Sequence, residues 1–192
     1  MEHNWLSLDN EENIILTTQC SGSTGIKAVI LHEMNIPFSL AESTHYKCMS
    51  ISNNMMSLHV KTIEDHSKLH LILRNPLNRF YSACKVWKVR FPMEKGFDRL
   101  LDYVEAGCDE GHISPIVPHI KGRFSQFKER MFFYRIEEAE KWEDVLGFKC
   151  PHYAHKPALF SLMTEVQIER FNILFSEDIE LYETLKFPGN EN

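Results

Sequence analysis

The sequence has no apolar run of the length that crosses a bilayer, which takes about 20 residues, so we expect no membrane-spanning helix. It also has no excess of positive charge. Its 21 Lys and Arg residues against 27 Asp and Glu residues leave a formal net charge of −6, which argues against a general nucleic-acid-binding surface. The opening segment, MEHNWLSLDNEEN, is acidic and polar, whereas a signal peptide has a basic start and an apolar centre.

Cysteine is scarce and unpatterned. The five cysteines are odd in number and form no CxxC pair, so we expect free thiols in a reducing cytoplasm rather than disulfides. Two groups, Cys108 with His112 and Cys150 with His152 and His155, lack the second close cysteine pair of a typical zinc site. We therefore expect no bound metal.

The remaining composition is that of one globular domain. The 192 residues are 43% hydrophobic and 25% charged, which is enough for a full core. Within this domain, 1–13 is expected to be a lead-in and 188–192 a tail. Strand-like and helix-like segments alternate, which predicts an α/β fold with a mostly parallel central sheet and helices on both sides.

The hydrophobic pattern predicts the order of the elements. Short apolar or β-branched runs predict strands at 14–18, 38–44, 69–73 and 131–136. Helical spacing predicts helices at 26–35, 77–91, 96–106, 137–148 and 164–186, the last with a break near 176–178. The segment 108–122 contains two prolines and is predicted to be a loop.

The most informative stretch is LHLILRNPLNRFYSA at 69–83. Its apolar run reads as a buried strand that stops at Arg74, because Pro76 cannot continue a ladder. Ligands bind at the carboxyl end of strands in open α/β sheets, and an arginine fork with the hydroxyl of Ser82 suits a phosphate. The spacing alone leaves a second interpretation open, in which Arg74 caps the strand and Ser82 is a small packing residue.

The segment RNPLNRFYSA resembles the 3′-phosphate-binding motif of the sulfotransferase family, in its carbohydrate and membrane-associated branch. Arg74, Pro76, Arg79 and Ser82 match the Arg-x-Pro-x-x-Arg-x-x-Ser pattern. The resemblance implies that Arg74 and Ser82 hold the 3′-phosphate of the sulfate donor, 3′-phosphoadenosine 5′-phosphosulfate. For Arg79 it implies a structural role.

The segment QCSGSTG at 19–25 lies between the first predicted strand and helix. Such a loop can surround an anion with backbone N–H groups at a helix N-terminus, although Gly/Ser loops are common in proteins of many functions. It lacks the spacing of a Walker A motif. It resembles the 5′-phosphosulfate loop of sulfotransferases, and the implied donor contacts are Ser21, Gly22, Ser23, Thr24 and Gly25.

The loop departs from the family pattern at Cys20, where sulfotransferases have a lysine that supports the departing phosphate. Lys27 is the nearest cation in sequence and is a candidate replacement. The alternative, which the sequence favours, is a solvated lysine on the helix surface.

The segment GHISPIVPHI resembles the His-x-x-Pro segment of carbohydrate sulfotransferases, in which His112 and Pro115 match. The resemblance makes His112 a candidate general base, and a loop-ordering histidine bonded to backbone is the open alternative. The segments 131–148 and 177–185 also resemble the family's Phe/Tyr-x-x-Glu and closing Asp-x-x-Leu-Tyr segments.

Together these resemblances imply a P-loop-like three-layer fold and a sulfotransferase activity that needs no metal. The donor would be 3′-phosphoadenosine 5′-phosphosulfate and the acceptor a hydroxyl, with carbohydrates as the implied class. One alternative is a catalytically impaired nucleotide-binding module of the same fold. Another is a P-loop-type kinase, against which the missing Walker lysine argues.

Overall fold

A computed structural model describes the chain in six stretches, namely 5–7, 13–17, 68–90, 96–107, 111–141 and 163–185. Most of the predicted strands and helices lie in these stretches. The predicted helix 26–35, the predicted strand 38–44 and the loop 19–25 lie outside the described residues.

Within the described stretches, four strands form one sheet in the order of the chain. They are β1 (Trp5–Ser7), β2 (Asn13–Thr17), β3 (Lys68–Leu73) and β4 (Met131–Arg135). β1 is antiparallel to β2, whereas β2, β3 and β4 run parallel to one another. The three predicted strands in this set are confirmed to within one residue at each end. β1 was not predicted, and it lies within the 1–13 segment that was expected to be only a lead-in.

The described stretches contain five helices with defined bounds, three between β3 and β4 and two after β4. They are α1 (Pro76–Arg90), α2 (Gly96–Glu105), α3 (Val117–Phe124), α4 (Glu165–Leu174) and α5 (Ser176–Thr184). Residues 139–141, in the predicted helix 137–148, are also helical, and residues 142–148 lie outside the described residues. Short 3₁₀ helices precede and follow β4, at Ser125–Arg130 and Ile136–Glu138. The break between α4 and α5 at Phe175 lies within two residues of the predicted one. None of the helices in the described stretches has the length and apolarity needed to cross a membrane.

The segment 108–122 was predicted to be a loop, and this was wrong for its second half. α3 begins at Val117 and includes Pro118 in its first turn, a position where the missing proline N–H costs no intrahelical bond. Pro118, which indicated a loop in the sequence, therefore lies in the first turn of a helix. Residues 111–116 are irregular, as predicted, and residues 108–110 lie outside the described residues.

One face of β3 packs on the helices that follow it. Leu69, Leu71 and Leu73 are buried on that face, because successive strand residues alternate between the two faces. They form a cluster with Ile116 and with partly buried residues of α3 and α5. The described part of the chain is therefore an α/β arrangement of parallel strands and packed helices.

Candidate functional site

The three parallel strands end at the same edge of the sheet. Thr17, Leu73 and Arg135 are their last residues. The chain leaves the interior strand β3 at Arg74 and leaves β4 through a 3₁₀ turn that carries Glu137. The carboxyl edge of such a sheet is where α/β proteins bind ligands, so these two exits are the candidate ligand-binding positions.

The turn between β3 and α1 is held by two hydrogen bonds of Asn75, the residue after Arg74, one through its side chain and one through its backbone N–H. The Asn75 side-chain oxygen accepts a bond of 3.1 Å from the backbone N–H of Asn78 and so caps α1. The backbone N–H of Asn75 donates to Glu137 Oε1 at 3.0 Å. Because both bonds fix the backbone beside it, the base of the Arg74 side chain has a defined position.

Ser82 lies on α1 and is half-buried, as is Arg74. It follows Asn75 by seven residues, a spacing that places two residues on the same helix face. At 1.5 Å per residue, Ser82 is about 9 Å along the axis from Pro76. Arg74 and Ser82 therefore belong to one strand–turn–helix unit.

Glu137 also contacts α5. The hydroxyl of Tyr182 donates to Glu137 Oε2 at 2.9 Å, and burial, followed by the negative charge of Glu137, raises the pKa of Tyr182. Arg135 lies over the Tyr182 ring at 4.9 Å and donates to its backbone carbonyl. Glu137 thus links the Arg74 turn to α5, a role that was not predicted; its only signal in the sequence is the Phe/Tyr-x-x-Glu likeness.

His112 lies in the irregular segment before α3 and is half-buried. The carbonyls on its two sides are bound by one arginine from α1. Arg79 Nη2 donates to Gly111 O at 2.9 Å and to Ser114 O at 2.8 Å. Arg79 is only 1% exposed, so its guanidinium makes these hydrogen bonds in the protein interior. That agrees with the structural role expected of Arg79.

The same segment is held from its other end by Asp178 of α5. The carboxylate accepts from Ile116 N at 2.9 and 2.8 Å and from Val117 N at 2.9 Å. Burial raises the pKa of Asp178, while the positive charge of Arg79 and the two backbone donors act in the opposite direction. Asp178 is therefore the cap of α3, although it is 62 residues from Ile116 in sequence.

The predicted site residues divide into two groups. Arg74, Ser82 and His112 belong to the described stretches, and the first two lie on one strand–turn–helix unit. The donor-loop residues Ser21, Gly22, Ser23, Thr24 and Gly25, together with Cys20 and Lys27, lie outside the described residues. Within the six described stretches, no three His, Cys, Asp or Glu side chains come together as a metal site.

No protein-family model, curated protein or solved structure matches the chain.

Proposed function

We propose that the protein is a sulfotransferase that moves a sulfuryl group from 3′-phosphoadenosine 5′-phosphosulfate to an acceptor hydroxyl, of which carbohydrate hydroxyls are the class implied by the family likeness. In this proposal the domain has the P-loop-like three-layer fold of that family. Arg74 and Ser82 bind the 3′-phosphate of the donor, and residues 21–25 surround its 5′-phosphosulfate.

The observation that carries the proposal is the position of Arg74. It is the first residue after an interior parallel strand, and the motif that it begins ends at Ser82 on the next helix. Arginine forms paired, charge-assisted bonds to phosphate oxygens. The N-terminus of α1 adds a partial positive charge at the same edge of the sheet.

The transfer itself needs little beyond positioning and charge. The acceptor oxygen attacks sulfur in line, and the bond from sulfur to the bridging phosphate oxygen breaks, releasing adenosine 3′,5′-bisphosphate. His112 takes the acceptor proton as general base. Negative charge that builds on the departing phosphate is stabilised by loop N–H groups and by a cation, for which Lys27 is the candidate.

A second function is favoured by Cys20. A cysteine at the position of the family lysine supplies no positive charge to the departing phosphate. A protein with this loop and an intact 3′-phosphate motif would bind the nucleotide without turnover. Donor binding without release of sulfate or of a sulfated acceptor would identify this case.

Replacing Arg74 with Ala tests the proposed 3′-phosphate contact. We expect Arg74→Ala to weaken binding of adenosine 3′,5′-bisphosphate by about 10- to 100-fold, since it removes charge-assisted hydrogen bonds worth roughly 1.5–3 kcal/mol. Binding of 5′-AMP, which has no 3′-phosphate, should change little. Both affinities are measured by isothermal titration calorimetry.

Arg99→Ala is the matched control, because Arg99 is an exposed arginine on α2. It should leave both affinities unchanged. An Arg74→Ala variant that binds the bisphosphate as tightly as the parent protein would remove Arg74 from the site.

A further inference from the structure

We propose that Arg79 is a positioning residue that sets the place of the His112 imidazole relative to a donor bound at Arg74 and Ser82. This rests on the proposed function, because it gives His112 the role of general base. It adds the residue that connects the donor-binding helix to the segment that carries that base.

The first argument is the geometry of the Arg79 contacts. One guanidinium nitrogen binds the carbonyl immediately before His112, that of Gly111, and the carbonyl two residues after it, that of Ser114. Both bonds are buried and shorter than 3.0 Å. The backbone is therefore held at both sides of His112 by a single rigid group.

The second argument is the charge that Arg79 brings into the interior. A buried cation is costly unless it is paired and hydrogen-bonded. Arg79 binds two carbonyls and lies close enough to Asp178 to oppose the rise in its pKa. Asp178 in turn holds Ile116 and Val117, so the opposite charges of α1 and α5 fasten the two ends of one short segment.

The third argument is the place of Arg79 on α1. Ser82 follows Arg79 by three residues, and residues three apart are neighbours on a helix surface. α1 thus carries a proposed donor contact and the anchor of the His112 segment within one turn.

Sulfuryl transfer is sensitive to such positioning. A general base must be within hydrogen-bond reach of the proton that it removes, and a displacement of about 1 Å far from the chemistry can cost about 100-fold in rate. Arginine is suited to this task because the two N–H groups of one nitrogen in its planar guanidinium point in fixed directions, one for each carbonyl, whereas a lysine is a point charge on a flexible stem.

The test uses Arg79→Lys, which keeps the buried positive charge and removes the planar guanidinium. Arg99→Lys on α2 is the matched control. The first measurement is the histidine-ring NMR spectrum of the whole protein, with the His112 signals assigned from His112→Ala. We expect Arg79→Lys to shift or broaden the His112 signals and to leave those of His70 in place. Arg99→Lys should change neither. Unchanged His112 signals in a folded Arg79→Lys variant would overturn the proposal, whether or not the protein is an enzyme.

The second measurement is turnover of 3′-phosphoadenosine 5′-phosphosulfate, with galactose, N-acetylglucosamine and water as the acceptor probes. We expect kcat to fall by about 100-fold in Arg79→Lys, with the affinity for adenosine 3′,5′-bisphosphate unchanged. Adding Arg79→Lys to His112→Ala should cause no further loss, because the first acts through the second. Equal losses in kcat and affinity, or additive losses in the double variant, would make Arg79 only structural and overturn the proposal.

Failure of the proposed function has a different result. If the parent protein neither binds the bisphosphate nor turns over the donor, the sulfotransferase proposal is wrong. The NMR comparison alone then decides whether Arg79 positions His112. If Arg79→Lys does not fold, Arg79→Gln takes its place in both measurements, because it keeps N–H donors on a shorter side chain that cannot make both bonds of the guanidinium. His112 signals that stay in place in a folded Arg79→Gln variant would then overturn the proposal.

Discussion

At the scale of single residues, the most unusual environment outside the candidate site is that of His70. Its side chain is 5% exposed, its Nδ1 is 2.8 Å from the hydroxyl of Tyr134, and its ring is stacked on Phe132. Burial, with a smaller contribution from the charge of Lys68, lowers the pKa of His70 to about 4. Burial also raises the pKa of Tyr134 to about 12. The pair is therefore neutral at pH 7.

The lowered pKa of His70 predicts that acid destabilises the fold. Between its ordinary value of 6.5 and about 4, the unfolded chain binds a proton at this residue and the folded chain does not. The stabilisation from neutral His70 is therefore fully present above pH 6.5 and is lost as the pH falls towards 4, by on the order of 3 kcal/mol. Urea unfolding at a series of pH values measures the loss.

Two variants isolate this contribution. His70→Gln removes the titrating group and should flatten the dependence of the free energy of unfolding on pH in this range. Tyr134→Phe keeps His70 buried and should retain most of the dependence, because burial is the larger cause of the shift. A His70→Gln variant with the parent protein's slope would show that other groups govern acid unfolding.

Residue-scale prediction from the sequence succeeded where the cause was local. Pro76 ends β3 for a reason that the chain itself contains, because proline has no N–H to donate to the ladder. The partners of Arg79 were not predictable, since the carbonyls that it binds are 32 and 35 residues away. The same holds for His70, whose hydroxyl partner is 64 residues away.

At the scale of elements, α1, α2 and α4 pack through a shared aromatic cluster. Phe80, Phe171 and Phe175 are fully buried at its centre. The centroid of the Phe171 ring is 4.4 Å from the centroid of the Phe175 ring and 5.3 Å from that of the Phe80 ring. The contacts of Phe171 therefore join α4 to α1 and to the start of α5.

This packing predicts a large cost for Phe171→Ala. Removing a buried aromatic ring and leaving a cavity destabilises a protein by about 3–5 kcal/mol. Ile173→Ala on the same helix is the control, because Ile173 is 69% exposed and should change stability by less than about 0.5 kcal/mol. Thermal or urea unfolding measures both, and equal effects of the two substitutions would contradict the packing of α4.

The helices also show where sequence patterns stop being informative. α4 was predictable because its start is signalled locally: Thr164 and Gln167 form a capping box. α3 was missed because its cap is a side chain of α5, Asp178, and because Pro118 reads as a helix breaker. A helix that is capped by a distant element has no start signal of its own.

At the scale of the whole molecule, the order of strands and helices was predictable and their mutual contacts were not. The apolar runs predicted β2, β3 and β4 and a mostly parallel sheet, since strands separated by helices pair in this way. β1 was missed because a strand of three residues in a polar segment is too short to show a hydrophobic periodicity. Glu137, which holds the turn after Arg74, was not chosen because its bond to Asn75 spans 62 residues.

The charge of the molecule sets a further condition on the proposed ligand. With a formal net charge of −6, the chain has no general attraction for an anionic nucleotide, so binding has to come from local donors. In the described part of the chain, the donors that we propose for this role are Arg74, Ser82 and the N-terminus of α1. Binding that depends on one phosphate of the nucleotide is therefore the signature of this account.

The most direct measurement is a calorimetric titration of the whole protein with adenosine 3′,5′-bisphosphate and, separately, with 5′-AMP. The account predicts that the bisphosphate binds about 10- to 100-fold more tightly than 5′-AMP, because only the bisphosphate has the 3′-phosphate that Arg74 and Ser82 are proposed to bind. Equal affinities, or no binding of the bisphosphate by the folded protein, would contradict the sulfotransferase proposal at its centre.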